Sequence, residues 1–196
     1  MKKKARRQLA DGEMRIVLAY HEAGHVIAHN YFGTEITRVF VNDGHVESGC
    51  STVIHQWDYH SLRFVTTSVA GSVSDLMYQK KNWTLHRMLR TDLVNADNDH
   101  EAAIKILQTH YPNGNRVVLA IMKLTEHARE AKTLLQRWWS TVEVVAQRLI
   151  VAGEICQPEL GELLEPMTSV VKAEDKADWD RILKRVGVTS HAPLDT

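Results

Sequence analysis

Residues 20–33 read YHEAGHVIAHNYFG, and the reading of that stretch decides the rest of the chain. It contains H-E-x-x-H. On a helix, residues four apart stand on neighbouring turns of one face, so His21 and His25 can hold one Zn²⁺ through their ring nitrogens. Glu22 is rotated ~100° from His21, better placed to touch a water on that ion than to bind the ion itself. Zinc lowers the pKa of such a water to about 7, and a carboxylate beside it can take the proton as the water attacks a carbonyl. With 11 histidines in 196 residues, chance supplies only about 0.04 matches to the motif. Ala23 and Gly24 are small enough to let another element approach closely. His29 continues the stripe, but it lies ~6 Å further along the axis than His25, too far to share the same ion easily. It reads as a packed or exposed helix histidine.

Outward from the motif, the helix is predicted over Glu13–Phe32. Asp11 suits its N-cap and Gly33 its C-terminal stop. Met14, Val17, Leu18, His21, His25 and Ala28 share one broad face. Two short strands follow, ITRVFV (Ile36–Val41) and CSTVIH (Cys50–His55), with NDGHVESG as the hairpin loop between them. Helices are then predicted over Ser61–Tyr78, from near Asn95 to His110, and as a pair over Arg116–Lys132 and Thr133–Val151. A short helix begins at Gln157-Pro158 and ends near Glu165-Pro166, where proline at the first turn is favoured. A last amphipathic helix is expected over Ala173–Val186. The division that follows is a basic N-terminal tail (1–12), one domain (13–166), and a helical appendage with a polar tail (167–196).

Composition narrows the classes. Lys plus Arg equal Asp plus Glu at 24 each, for zero formal net charge, where a general nucleic-acid binder usually carries a basic excess. Two cysteines, Cys50 and Cys156, are too few for a disulfide framework and point to a reducing, cytoplasmic setting. Neither sits in a paired metal spacing, so both read as small packed residues. No apolar run approaches the ~20 residues of a transmembrane segment. The start MKKKARRQLADGE is basic but lacks the apolar stretch of a secretory signal.

A zinc hydrolase needs a third protein ligand and an open position for water. Candidates crowd RTDLVNADNDHEAAIKIL: Asp92, Asp97, Asp99, His100 and Glu101. Chemistry alone does not choose among them, and Asp97 and Asp99 also suit a helix N-cap.

HEAGHVIAHNYFG resembles the start of the peptidase domain of FtsH-type ATP-dependent membrane proteases, which typically reads HEAGHA followed by apolar residues. VAGSVSDLMY (Val69–Tyr78) is similar to that family's L-x-G-G-R-x-A-E-E helix, with Gly71 retained. NDHEAAIKIL is similar to the N-D-x-x-x-A-T segment, whose aspartate is the family's third zinc ligand. AKTLLQRWWSTVEVVAQRLIVAGEICQPELGELL is similar to the closing helices. The likeness spans about residues 13–165. It implies Asp99 as the third ligand. Leu76 stands where the family has its second acidic residue, leaving Asp75 to orient a ligand histidine through the ring's free N–H. Ile104 replaces the threonine of the N-D segment. There is no G-x-x-x-x-G-K-[ST] loop, so the expectation is a stand-alone peptidase domain without the ATPase module.

The fold expected is mainly α (α+β): a zincin-like helical metallopeptidase domain with a small β-sheet or hairpin. The function expected is a zinc metalloendopeptidase acting on unfolded or flexible protein segments. His21, His25 and Asp99 hold the Zn²⁺, and Glu22 is the general base. An extended peptide pairs with the strand edge formed by Cys50, Ser51, Thr52, Val53 and Ile54. Partners implied are a protein or peptide substrate, a separate AAA+ ATPase, and further copies of the chain, with no nucleic acid. Two other readings use the same residues: a zinc-binding adaptor that does not cut, and a zinc amidohydrolase for a small molecule.

Overall fold

The first helix, α1 (Asp11–Tyr31), carries HEAGH at its centre. Its end follows from Gly33, whose φ of +76° only glycine adopts without strain. Thr34 N–H bonds the His29 carbonyl at 2.9 Å and Gly33 N–H the Asn30 carbonyl at 3.1 Å, the paired closure of a glycine-terminated helix. The computed structural model describes residues 11–41, 48–53, 62–81, 94–111 and 116–171. The basic tail before residue 11, most of the hairpin loop, Ile54, Asp92 and the helix expected over 173–186 lie outside the described residues.

Strand β1 (Glu35–Val41) follows at once and pairs antiparallel with β2 (Ser48–Val53). Ile36, Val39 and Val41 face the core. The step from 36 to 39 breaks strict alternation, and a bulge between Ile36 and Arg38 accounts for it by shifting the phase of the strand. A third strand not expected from the sequence, β3 (Glu154–Cys156), pairs with the other side of β1, giving the order β2-β1-β3. Three residues leave no periodicity to read.

Helices α2 (Leu62–Tyr78), α3 (Val94–His110), α4 (Arg116–Arg137) and α5 (Trp139–Ala152) build the body. The result is mainly α with a small antiparallel sheet, as expected. Two boundaries differ. The α4–α5 break falls at Trp138, not between residues 132 and 133, because Leu124, Ala128, Ala131 and Leu135 form one unbroken buried stripe. The last described helix, α6 (residues 159–171), runs through Pro166 instead of stopping there. Proline removes one helix hydrogen bond. Leu160, Leu164 and Met167 on the buried side hold the helix in place, so the packed unit continues past residue 166. Cys156 also differs from expectation: its thiol is free and exposed, not packed, since it points outward from β3 toward Glu154 at 3.2 Å. The Cys50 side chain is outside those described.

α2 is buried from Val65 to Leu76. It runs opposite in sense to α1 and touches it closely. A Cβ added at Gly24 would stand 2.7 Å from the Ala70 carbonyl oxygen and 2.7 Å from Ser74 Cβ. In a free helix Gly→Ala stabilises by about 0.8–1 kcal/mol. Here the sign reverses. Gly24→Ala is expected to lower unfolding free energy by ~1–3 kcal/mol through overpacking, read as a fall in denaturation midpoint at unchanged m-value.

Candidate metal centre

The crossing of α1 and α2 aims the two motif histidines at a common point. His21 Nδ1 lies 3.1 Å from Asp75 Oδ2 on α2, and both side chains are buried. His25 Nδ1 lies 2.9 Å from the carbonyl oxygen of Thr67, about two turns before Asp75 on the same helix. A carbonyl only accepts, so His25 carries its proton on Nδ1 and presents a lone pair at Nε2. The Asp75 carboxylate assigns His21 in the same way. From α3, Asp99 brings its Oδ2 to 3.3 Å from His21 Nε2 and 3.1 Å from His25 Nε2, and the two ring nitrogens are 3.1 Å apart.

With both rings neutral, three lone-pair atoms therefore converge on one point. Such a triangle repels itself unless a proton or a metal cation stands at its apex. Four ligands at zinc distances of about 2.0–2.1 Å are mutually separated by ~3.3–3.4 Å, close to the edges seen here. Two neutral imidazoles and a carboxylate are a donor set that zinc accepts, with a fourth position open. His21, His25 and Asp99 are the group of metal-competent side chains found among the described residues.

The proton affinities show the same tension. Burial disfavours a charged ring, yet the Asp75 charge and hydrogen bond, with Asp99, hold His21 well above its ordinary value. His25 is raised too: burial opposes the charge and Asp99 outweighs it. Burial works to raise Asp99, but the charge of His25 and the hydrogen bonds from both rings bring it well below the usual carboxylate range. A proton and a metal cation thus compete for one place.

The floor of the site is backbone. A Cβ at Gly71 would lie 2.4 Å from His25 Nε2 and 2.6 Å from His21 Nε2. Any side chain there would fill the point on which the donors converge. Glu22 is buried beside the pair, and its charge favours protonation of both rings, which puts its carboxylate within electrostatic reach of the centre.

The other expected residues are placed as follows. His29 is buried, its Nδ1 lacks a hydrogen-bond partner, and burial followed by the His25 charge pushes its pKa from 6.5 down to about 3. His100 is buried, meets Ser72 Oγ at 3.0 Å, and is not among the three converging donors. Glu101 is exposed and pairs with Lys105 at 2.8 Å. The Asp97 side chain is outside those described. Residues Cys50, Ser51, Thr52 and Val53 lie in β2, at one edge of the sheet. Three contributors were missed from the sequence: the Thr67 carbonyl, Ser72, and the Thr66 hydroxyl, which meets His127 Nδ1 at 2.9 Å and Glu130 Oε2 at 2.7 Å and ties α2 to α4. A backbone carbonyl leaves no trace in residue identity. Paired serines and threonines in an apolar helix are the one signal that could have pointed to α2 as a polar platform.

No family model matches the chain, and no curated protein matches it at a significant level. Among the described residues, no helix is long and apolar enough to cross a membrane.

Two outcomes are expected. Gly71→Ala should remove high-affinity zinc binding in a metal titration, because the added methyl occupies the convergence point. Acid sensitivity should trace in part to His29. Its folded pKa is depressed, so its contribution is complete above ~6.5 and is lost as pH falls from there toward ~3, at up to about 1.4 kcal/mol per pH unit. His29→Leu should flatten that part of a stability-versus-pH curve.

Proposed function

We propose that the chain is a zinc metalloendopeptidase that hydrolyses peptide bonds in unfolded or flexible protein segments. The observation that carries the reading is the convergence of His21 Nε2, His25 Nε2 and Asp99 Oδ2 at 3.1–3.3 Å, with Glu22 buried beside them. Zinc, when bound, supplies Lewis-acid polarisation of a carbonyl and makes water acidic near neutral pH.

The residues divide the remaining work. Asp75 and the Thr67 carbonyl fix the tautomer and orientation of the two rings, keeping both Nε2 lone pairs aimed at the centre. Glu22 accepts the proton of the attacking water on its carboxylate and delivers it to the leaving amine nitrogen. Gly71 leaves room for these groups to meet. The β2 edge supports a polypeptide substrate, since among the described residues β2 pairs only with β1 and an extended chain can add to its other side. This reading takes residues 13–166 as an FtsH-type peptidase domain, with a separate AAA+ ATPase as a source of unfolded segments.

Glu22→Gln separates catalysis from assembly. It should bind zinc at about 1:1 and keep its fold, yet lose casein cleavage by several orders of magnitude, because it removes the proton acceptor and not a ligand. Wild-type cleavage by that variant would refute the mechanism. Asp99→Asn should weaken zinc by ~10-fold or more in a competitive chelator titration.

A further inference from the structure

Asp99 is the one donor of the three that does not sit on α1. Its side chain is short, so it reaches the ring nitrogens only if α3 is held at the right distance and also at the right rotation about its own axis. Ligand groups need placement to within about 0.5 Å. The apolar face of α3, with Ala103 and Leu107 fully buried and Ile106 nearly so, fixes the distance. Apolar contact is not directional and leaves the rotation loosely set.

The residue after Asp99 supplies the missing direction. His100 is 5% exposed and Ser72 is 0% exposed, and His100 Nε2 stands 3.0 Å from Ser72 Oγ. Ser72 in turn follows Gly71, the residue on whose backbone the His21 and His25 rings lie. A single step of α2 thus carries the floor of the ring pair and the anchor of the helix that brings the third donor. His100 is rotated ~100° from Asp99 on α3, so a fixed His100 determines where Asp99 points. A buried, directional bond of this kind costs the full desolvation of its partners when it is broken.

We infer that the Ser72–His100 hydrogen bond is the positioning pair for Asp99, setting the rotation of α3 and through it the metal affinity of the centre. The inference rests on the zinc reading above. His100 is a positioning residue and not a ligand, and its bond does for the carboxylate what Asp75 and the Thr67 carbonyl do for the rings.

The test is a zinc titration of the full chain against a competing chelator, run with thermal unfolding of the metal-free protein and the visible spectrum of the cobalt-loaded protein. Ser72→Ala adds no atoms and leaves the apolar face of α3 untouched, so it should fold. It and His100→Ala should each weaken zinc by ~10-fold or more. Their cobalt spectra should move toward that of Asp99→Asn. His100→Gln, which keeps a hydrogen-bonding group at similar reach, should return affinity to within about threefold of wild type, on the expectation that a restored partner restores the orientation. Wild-type zinc affinity and cobalt spectrum in Ser72→Ala and His100→Ala would overturn the inference while leaving the zinc reading intact. So would a loss that only follows thermal stability and is not rescued by His100→Gln. A wild-type chain that binds neither zinc nor cobalt would overturn both readings.

Discussion

The distance between α1 and α2 governs everything else in the site. Gly24 lets the helix surfaces meet at Ala70 and Ser74, and Gly71 lets two imidazole rings lie directly on the α2 backbone. With a larger residue at either position the helices stand apart. His21 then no longer reaches Asp75, and His25 no longer reaches the Thr67 carbonyl. Both glycines are helical and forgo the propensity of alanine, a local cost of roughly 1 kcal/mol each that only the close approach explains.

The second constraint is polar. A helix buried from Val65 to Leu76 would be expected to be apolar throughout, yet Thr66, Thr67, Ser68, Ser72, Ser74 and Asp75 are among its buried residues. Buried polar groups are costly unless bonded. Several of these side chains are bonded to partners on different elements: Asp75 to α1, Ser72 to α3, Thr66 to α4, while the Thr67 hydroxyl bonds the Arg63 carbonyl within α2 and its backbone carbonyl meets α1. α2 is therefore the hub through which the site is assembled. Asp75 Oδ1 and Ser74 Oγ remain without hydrogen-bond partners, and burial raises the Asp75 pKa against the pull of His21. Such local disagreement with a purely apolar core is what a functional centre imposes on a fold.

Much of this was legible in the chain itself. The 3.6-residue period and Gly33 placed α1 within a residue or two. The H-E-x-x-H spacing put two donors on one face, because helix geometry alone makes residues four apart neighbours. A short run of β-branched and aromatic residues beside a glycine- and asparagine-containing loop located β1, and the long apolar stripes located α2, α4 and α5. Where the reading slipped, a local signal was absent or misleading. Trp138 interrupts a helix without glycine or proline, Pro166 sits inside one that packing sustains, and β3 is too short to have a period.

What the sequence by itself determined is the set of elements and the donors that share one helix, since those depend on spacing along a single regular backbone. The tertiary structure brought Asp99, the residue the resemblance implied, to those donors while Glu101 pairs with Lys105, and it alone decided which way His100 turns and that a backbone carbonyl at Thr67 orients His25. Those outcomes depend on distances between helices far apart in the chain. Such distances are set by side-chain volume at the crossing, at Gly24 and Gly71, and by directional bonds across it. No periodicity within a single segment encodes them.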